Sequence, residues 1–299
     1  AGLHPLLLCG SPGTGKSMLA TRLPGILPPL TSAEALEVAA IRSASGQPAT
    51  RSRRAPFLSC HASTSPAGLL GGGQPPRPGN ISLAHHGVLM MDELTEFRRT
   101  VIESLREPLE TGRITLSRGP YSETFPARFL LVATMNPCPC GNLGDPARAC
   151  RCTPAQIRRY QARLSGPLLE RFDLGIEMMR EPANDVSNKA PAPEDSATVA
   201  RRVQSARQRQ LARQACTNGH LPVGRFDDCL ALQPDARALL TQAADRFGWS
   251  WRSQHRVLRV ARTVADLADS ATVTPAHLAE AMALRRPLDH LVSAEANPA

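Results

Sequence analysis

Eight consecutive residues, Gly10-Ser11-Pro12-Gly13-Thr14-Gly15-Lys16-Ser17, have the types and spacing needed to enclose a polyphosphate. Glycines let backbone N–H groups turn inward around phosphate oxygens. A helix opening at Lys16 adds the partial positive charge of its N-terminus. In that arrangement Ser11, Pro12, Gly13, Thr14 and Gly15 form the cradle. Lys16 neutralises the β and γ phosphates, the Ser17 hydroxyl ligates Mg²⁺, and Met18 closes the set of nucleotide contacts. The motif follows a buried apolar run, Leu6-Leu7-Leu8-Cys9, and precedes an apolar-periodic helix, the order a phosphate loop requires.

Three further positions extend this chemistry to ATP hydrolysis. Val88-Leu89-Met90-Met91-Asp92-Glu93 ends a buried strand in two carboxylates, an expensive location unless a cation is near. Asp92 is expected to hold the magnesium, directly or through water, and Glu93 to polarise the attacking water as general base. Asn136 follows the apolar run Phe129 to Ala133. Ligands bind at the carboxyl ends of parallel strands, so Asn136 would face the same crevice and orient water at the γ-phosphate. An asparagine turn before Pro137 is the competing reading. Arg171, in Leu168-Leu169-Glu170-Arg171-Phe172-Asp173, is either an arginine finger for a neighbouring subunit's ATP or a surface salt-bridge residue.

Cys138, Cys140, Cys150 and Cys152 form a C-x-C…C-x-C pattern. Four thiolates this close suit a tetrahedral structural Zn²⁺ with no position left for water. Exposed dithiol pairs are the alternative. Cys9, Cys60, Cys216 and Cys229 are isolated and read as core thiols.

The elements that must position these groups are legible from periodicity. Strands at Leu6–Cys9, Val88–Met91, Phe129–Ala133 and Leu174–Met178 alternate with helices at Lys16–Leu23, Thr31–Ala44 (capped by Ser32), Glu96–Glu110 and Pro154–Leu164. Such alternation predicts an α/β core, a parallel sheet sandwiched by helices. Arg113–Leu116 and Tyr121–Phe125 around Gly119-Pro120 read as an inserted β-hairpin. The Gly-, Pro-, Ser- and Arg-rich stretch Ser45–Asn80 is too long for an ordinary loop and reads as a functional insertion. Polar, proline-bearing residues follow the last strand, and helices then dominate: Thr198–Ala215, Pro234–Phe247, Arg252–Asp269 and one opened by Thr274-Pro275. The division is a P-loop ATPase core at 1–180, a linker at 181–196 and a small all-α lid domain at 197–299.

The 299 residues suit two domains, and 42% hydrophobic content supplies their cores. No apolar run reaches the ~20 residues that span a bilayer, and no signal peptide is visible, so a cytoplasmic protein without a membrane partner is expected. The net charge of +9 is almost wholly arginine, with lysine only at Lys16 and Lys189. Such a surface suits nucleic acid, headgroups or acidic partners.

Taken together, Gly10–Ser17, Val88–Glu93, Thr134–Gly141 and Leu164–Asp173 resemble the magnesium-chelatase-related AAA+ ATPases of the ComM/YifB group. Gly71-Gly72-Gly73, Pro76-Arg77-Pro78-Gly79, Ile81–His85, Phe125–Phe129 and His255–Arg262 carry the likeness over nearly the whole chain. Asn136-Pro137-Cys138-Pro139-Cys140-Gly141 is absent from ordinary chelatase motor subunits. The resemblance implies a hexameric ring with ATP between subunits and Arg171 as a finger in trans. It implies Asn136 as a sensor and Arg252, or else Arg256, as the lid arginine at the γ-phosphate. It suggests that the Arg113–Phe125 hairpin faces the pore, where Arg118 meets a DNA backbone. The implied activity is ATP-driven unwinding or branch migration of single-stranded or branched DNA during recombination of incoming DNA. A chelatase motor subunit acting through a partner, and a nucleotide-binding module without motor activity, are the other readings. Group members carry an N-terminal Lon-protease-like domain that this sequence lacks, so a piece of a longer protein is expected. Around Phe57 the sequence Ala55-Pro56-Phe57-Leu58-Ser59-Cys60-His61 lacks an arginine and a histidine usual in the group.

Overall fold

The computed structural model describes residues 1–180 and 194–296. Along the first part run β1 (Leu6–Gly10), α1 (Lys16–Arg22), α2 (Ser32–Ala44), β2 (Phe57–Cys60), α3 (Pro66–Leu70), β3 (Gly71–Gly72), β4 (Arg77–Pro78), α4 (Asn80–Leu83) and β5 (Val88–Met91). These are followed by α5 (Arg99–Glu103), α6 (Arg106–Thr111), β6 (Arg113–Arg118), β7 (Tyr121–Pro126), β8 (Leu130–Met135), α7 (Pro154–Gln161), α8 (Gly166–Leu169) and β9 (Leu174–Met178).

Five strands form one parallel sheet in the order β2-β5-β8-β1-β9. The central strands read as continuous apolar runs because both faces are covered. Their side chains alternate between two cores. Leu7, Leu89, Met91, Leu131 and Ala133 face one; Leu8, Val88, Met90, Leu130 and Val132 face the other. The register Leu6↔Val132 and Leu6↔Leu174 places the carboxyl ends of β1, β8 and β9 together. The exits of β1, β5 and β8 therefore open into one crevice.

Three expectations are corrected here. The cap of α2 is Thr31, not Ser32: its hydroxyl accepts from Glu34 N–H while the Glu34 carboxylate accepts from Thr31 N–H. The helix expected over Glu96–Glu110 is broken into α5 and α6 at Ser104-Leu105. Pro108 has no N–H to return to Ser104, but as the third residue of α6 it loses no bond. Within Ser45–Asn80 lies the edge strand β2, four residues paired to β5 through Phe57↔Val88. It is too short to show a period. The hairpin β6–β7 forms as expected, with Arg118 opposite Tyr121 across the turn; the side chain of Arg118 lies outside the described residues.

Of the expected linker, 181–193 lie outside the described residues, and Asp195 and Ser196 already cap and open a helix. The remainder is α9 (Ser196–Gln214), α10 (Phe226–Leu230), α11 (Pro234–Phe247), α12 (Trp251–Leu267) and α13 (Pro275–Ala296). Helices α10 to α13 enclose their own apolar cluster around Leu240, Val257, Ala261 and Leu278. Helix α13 also packs on β9, where Gly175 leaves room for Leu288: a Cβ there would lie 3.0 Å from Leu288 Cγ. A buried polar knot joins the two parts. His4 bridges Asp173 Oδ2 at 2.8 Å and Thr263 Oγ1 at 2.7 Å, and Arg256 pairs with Asp173 Oδ1. Burial alone would raise the Asp173 carboxyl, but His4 and Arg256 outweigh it and hold it down at about 2.

Candidate nucleotide site and cysteine cluster

The loop between β1 and α1 turns at Gly13 (φ 82) and Gly15 (φ 84), both in the left-handed region that only glycine enters freely. This geometry presents the N-terminus of α1 at the crevice. Lys16 is 9% exposed, and its ammonium donates to Gly10 O at 2.6 Å, Ser11 O at 2.9 Å and Asn136 Oδ1 at 3.2 Å. Burial lowers its pKa, and the fields of Cys9, Asp92 and Glu93 oppose that shift. The loop thus reaches Asn136 at the exit of the adjacent strand β8.

Ser17 Oγ donates to Asp92 Oδ1 at 2.8 Å. Two hard oxygens at that separation, one of them anionic, suit a magnesium ion, which prefers one or two such protein donors together with water and phosphate. Thr134 was not singled out for a role from the sequence, yet it organises this corner. Its hydroxyl donates to Asp92 Oδ1 at 2.6 Å and accepts from Glu93 N–H at 2.9 Å. Glu93 itself is exposed and sits at φ 55, ψ 55, a left-handed conformation that is uncommon for a side-chain-bearing residue. Polarity at the penultimate residue of a fully buried strand was the available signal for Thr134. Of the remaining expected contacts, Met18 is 55% exposed, on the solvent side of α1.

The two expected arginines are elsewhere. Arg171 precedes β9 and Asp173 N–H bonds Pro5 O, so Arg171 stands at the amino ends of the strands. Lys16, Asp92 and Asn136 stand at the carboxyl ends, about 15 Å away along a five-residue strand. Arg171 is 6% exposed, and its guanidinium donates to Pro167 O at 2.7 Å and Glu110 Oε2 at 2.6 Å. Arg252, near the start of α12, donates to the other oxygen, Glu110 Oε1, at 3.1 Å. The Arg171 hydrogen bond, with the charges of Arg171 and Arg252, lowers the Glu110 pKa. The two arginines therefore form one group, beside a cleft of ≈ 380 Å³ lined by Leu70, Glu103, Glu107 and Ile114. Arg256, the alternative lid arginine, is taken up by Asp173 and Arg171 O. Glu110 carried no sequence signal, because its partners lie 61 and 142 residues away.

The cysteine pairs converge. Cys138 Sγ lies 3.4 Å from Cys140 Sγ and 3.7 Å from Cys150 Sγ, Cys140 and Cys150 are 3.6 Å apart, and all four sulfurs fall within 4.8 Å of one another. Zn–S bonds of about 2.3 Å in a tetrahedron put sulfurs about 3.8 Å apart, so the four side chains fit zinc. Backbone N–H groups of Arg151 and Asn142 stabilise the Cys140 thiolate and lower that thiol to about 6.

A second cluster, Glu37, His85 and His86, is also compact. The backbone N–H of Arg128 donates to His85 Nδ1 at 3.0 Å, so His85 Nε2 carries the proton and donates to Glu37 Oε2 at 2.9 Å. With its metal-facing nitrogen protonated, His85 is a hydrogen-bonded core histidine rather than a ligand.

These features agree with comparisons to known proteins. The family model described as magnesium chelatase, subunit ChlI, matches residues 1–186, and the subunit ChlI C-terminal model matches residues 193–285. The chain is 46% identical over 287 residues to the uncharacterized protein YifB of Salmonella typhimurium, covering 95% of this chain and 56% of that protein. YifB of Escherichia coli gives the same identity and coverage. The competence protein ComM of Haemophilus influenzae is 44% identical over 288 residues, again 95% and 56% of the two chains. The chain thus spans a little over half the length of these relatives. Among the described residues no helix is long and apolar enough to cross a membrane. With its parallel sheet, helical C-terminal region and this degree of identity, the chain belongs to the magnesium-chelatase ChlI family of AAA+ ATPases, in the group that contains YifB and ComM.

Proposed function

We propose that the chain is the motor portion of an ATPase that works as a ring, probed below by its response to DNA. The observation that carries the reading is the separation of the catalytic groups. Lys16, Ser17, Asp92, Glu93 and Asn136 gather at the carboxyl ends of the sheet, whereas Arg171 and Arg252 share Glu110 at the amino ends. One copy cannot bring both sets to one γ-phosphate; adjacent copies in a ring can. Oligomerisation is common among AAA+ ATPases, and a hexamer is the assembly we propose.

In this reading residues 1–180 are the ATPase core, 181–196 a linker and 197–299 the lid. The loop Ser11–Ser17 with Met18 binds ATP. Ser17 and Asp92 hold Mg²⁺, which supplies charge neutralisation at the phosphates when bound. Glu93 takes a proton from the attacking water, Asn136 orients that water, and Lys16 together with a neighbour's Arg171 and Arg252 stabilises the charge on the transferred phosphoryl. A structural zinc at Cys138, Cys140, Cys150 and Cys152 completes the cofactors.

The substrate we propose is single-stranded or branched DNA, moved in recombination of incoming DNA in the cytoplasm. The +9 charge and the name of the Haemophilus relative, a competence protein, support it. The family match itself favours a second reading, a chelatase motor that acts through a protein partner. Steady-state ATPase measured with and without single-stranded, forked and duplex DNA at low and high salt separates the two. Salt-sensitive stimulation is expected; a rate indifferent to every DNA at low salt rejects the DNA reading and leaves the partner-driven one.

A further inference from the structure

The segment leaving β8 reaches the nucleotide loop at three points. Asn136 accepts from Lys16 Nζ at 3.2 Å. Gly141, at φ +78, lies against Pro12: a Cβ at that position would fall 2.6 Å from Pro12 Cδ. Asp145, whose side chain is fully enclosed, stands beside Ser11 and accepts from Ala147 N–H at 2.8 Å. Arg180, 3.4 Å from that carboxylate, donates to Pro12 O at 3.2 Å. Behind these contacts the segment has little regular structure of its own. Between β8 and α7 it forms only turns and bends, and those turns touch the phosphate loop.

The four sulfurs are what closes this segment. Cys138 and Cys140 stand just before Gly141, and Cys150 and Cys152 stand just before Thr153, the capping residue of α7. Helix α7 is fixed in turn. Tyr160 Oη accepts from Thr95 Oγ1 at 2.5 Å, Arg163 donates to Thr95 O at 2.8 Å, and Gln161 donates to Pro137 O at 3.0 Å. A metal at the sulfurs would therefore tie β8 and α7 into one ring, with Gly141 and Asp145 on the part that faces the phosphate loop.

We infer that the zinc-closed loop 136–152 is a positioning device for the phosphate loop, so that nucleotide affinity depends on occupancy of the cysteine cluster. The inference rests on the zinc reading of the four sulfurs and adds a role to it. The cysteines stay clear of the nucleotide and act through Gly141 and Asp145, as outer-shell groups act by fixing those that touch the ligand.

The test uses the full chain, with zinc content measured by mass spectrometry and binding of a fluorescent ADP measured by titration. Stripping the zinc with a chelator under reducing conditions is expected to weaken ADP binding roughly tenfold, with far-UV circular dichroism retained, and added Zn²⁺ is expected to restore it. Gly141→Ala and Asp145→Asn keep all four cysteines. Both are expected to hold one zinc per chain and still bind ADP more weakly. Zinc that can be removed and replaced without change in ADP affinity would falsify the coupling while leaving the zinc site standing. If stripping unfolds the chain, the two variants decide: wild-type ADP affinity in both overturns the inference. Zinc well below one per chain overturns the metal reading and the inference with it. Lys16→Ala is the control that shows the ADP signal to come from the phosphate loop.

Discussion

Arg171 and Glu110 meet at 2.6 Å at the end of the sheet opposite the phosphate loop, and Arg252 binds the second oxygen of the same carboxylate. The side chain of Glu110 is 52% exposed, so this is an ion pair in contact with water and contributes about 0–1 kcal/mol to folding. Its value lies in placement. Two cations are held side by side at the end of the sheet away from Lys16.

The first prediction follows from that placement. Arg171→Ala is expected to lower kcat of ATP hydrolysis by roughly 10³ or more while ADP affinity per chain stays near wild type. Lys16→Ala is expected to lose nucleotide binding. Mixed in one assembly, the two inactive variants are expected to recover part of the activity, because a Lys16-intact site meets an Arg171-intact neighbour. Steady-state ATPase across mixing ratios checks this; a mixture no more active than its components argues against catalysis in trans.

Thr134 gives the second. It satisfies Asp92 and holds the Glu93 N–H, so Thr134→Val leaves both groups without that partner in a half-buried corner. A loss of about 1–3 kcal/mol of stability is expected from the unpaired groups. The catalytic loss should exceed the binding loss, since Glu93 is displaced while the phosphate loop is intact. Thr134→Ser, which keeps the hydroxyl, should restore most of both. Urea unfolding together with kcat and ADP affinity reads the three effects separately.

Much of this site was legible because its logic is local. Gly13, Gly15 and Lys16 are neighbours in sequence, and Asp92-Glu93 ends an apolar run that can only be a buried strand. The four-strand core was visible for the same reason. The relationships that escaped are those made across the sheet. Glu110 pairs with residues far along the chain, and Thr134 looks like one more strand residue until its neighbour β5 is in place. The strand β2 was hidden because four residues at a sheet edge, set after Pro56, show neither alternation nor length. On α12 Val257, Leu258, Val260 and Ala261 are buried as their spacing would suggest, but Arg262 and Asp266 are buried with them while the apolar Leu267 is 36% exposed.

Acid sensitivity gives a third prediction. Burial pushes His85 and His220 down to about 4, against the ordinary value of 6.5. Between those two values the unfolded chain binds protons that the folded chain refuses, so stability falls as pH is lowered from 6.5 to 4. Glu37 is held below its ordinary value by its hydrogen bonds to His85 and His86, and its contribution is likewise lost on acidification. Melting temperature is expected to drop across this window. In His85→Gln the slope between 6.5 and 4 should become shallower; an unchanged slope would place the sensitivity elsewhere.

The last prediction concerns Arg262 and Asp266, each 1% exposed and 3.0 Å apart one turn along α12. The pair is embedded in further bonds. Arg213 contacts both oxygens of Asp266 at 2.8 and 2.9 Å, Asn218 donates to it at 2.7 Å, and Arg262 donates to the carbonyls of Leu230, Ala271 and Ser270. A buried pair is weak evidence of net stabilisation, because desolvation opposes the attraction. Removing one partner is another matter, since it strands the other charge. Asp266→Ala is therefore expected to cost about 3–5 kcal/mol. Arg262→Met together with Asp266→Leu removes both fully buried charges while keeping apolar bulk and leaves Arg213, whose side chain is 25% exposed, able to turn to water, so it should be closer to wild type than the single variant. Denaturant unfolding of the single and double variants measures the difference, and a double variant as unstable as Asp266→Ala would show that the bonds lost by Arg213, Asn218 and the carbonyls, not the stranded Arg262 charge, set the cost.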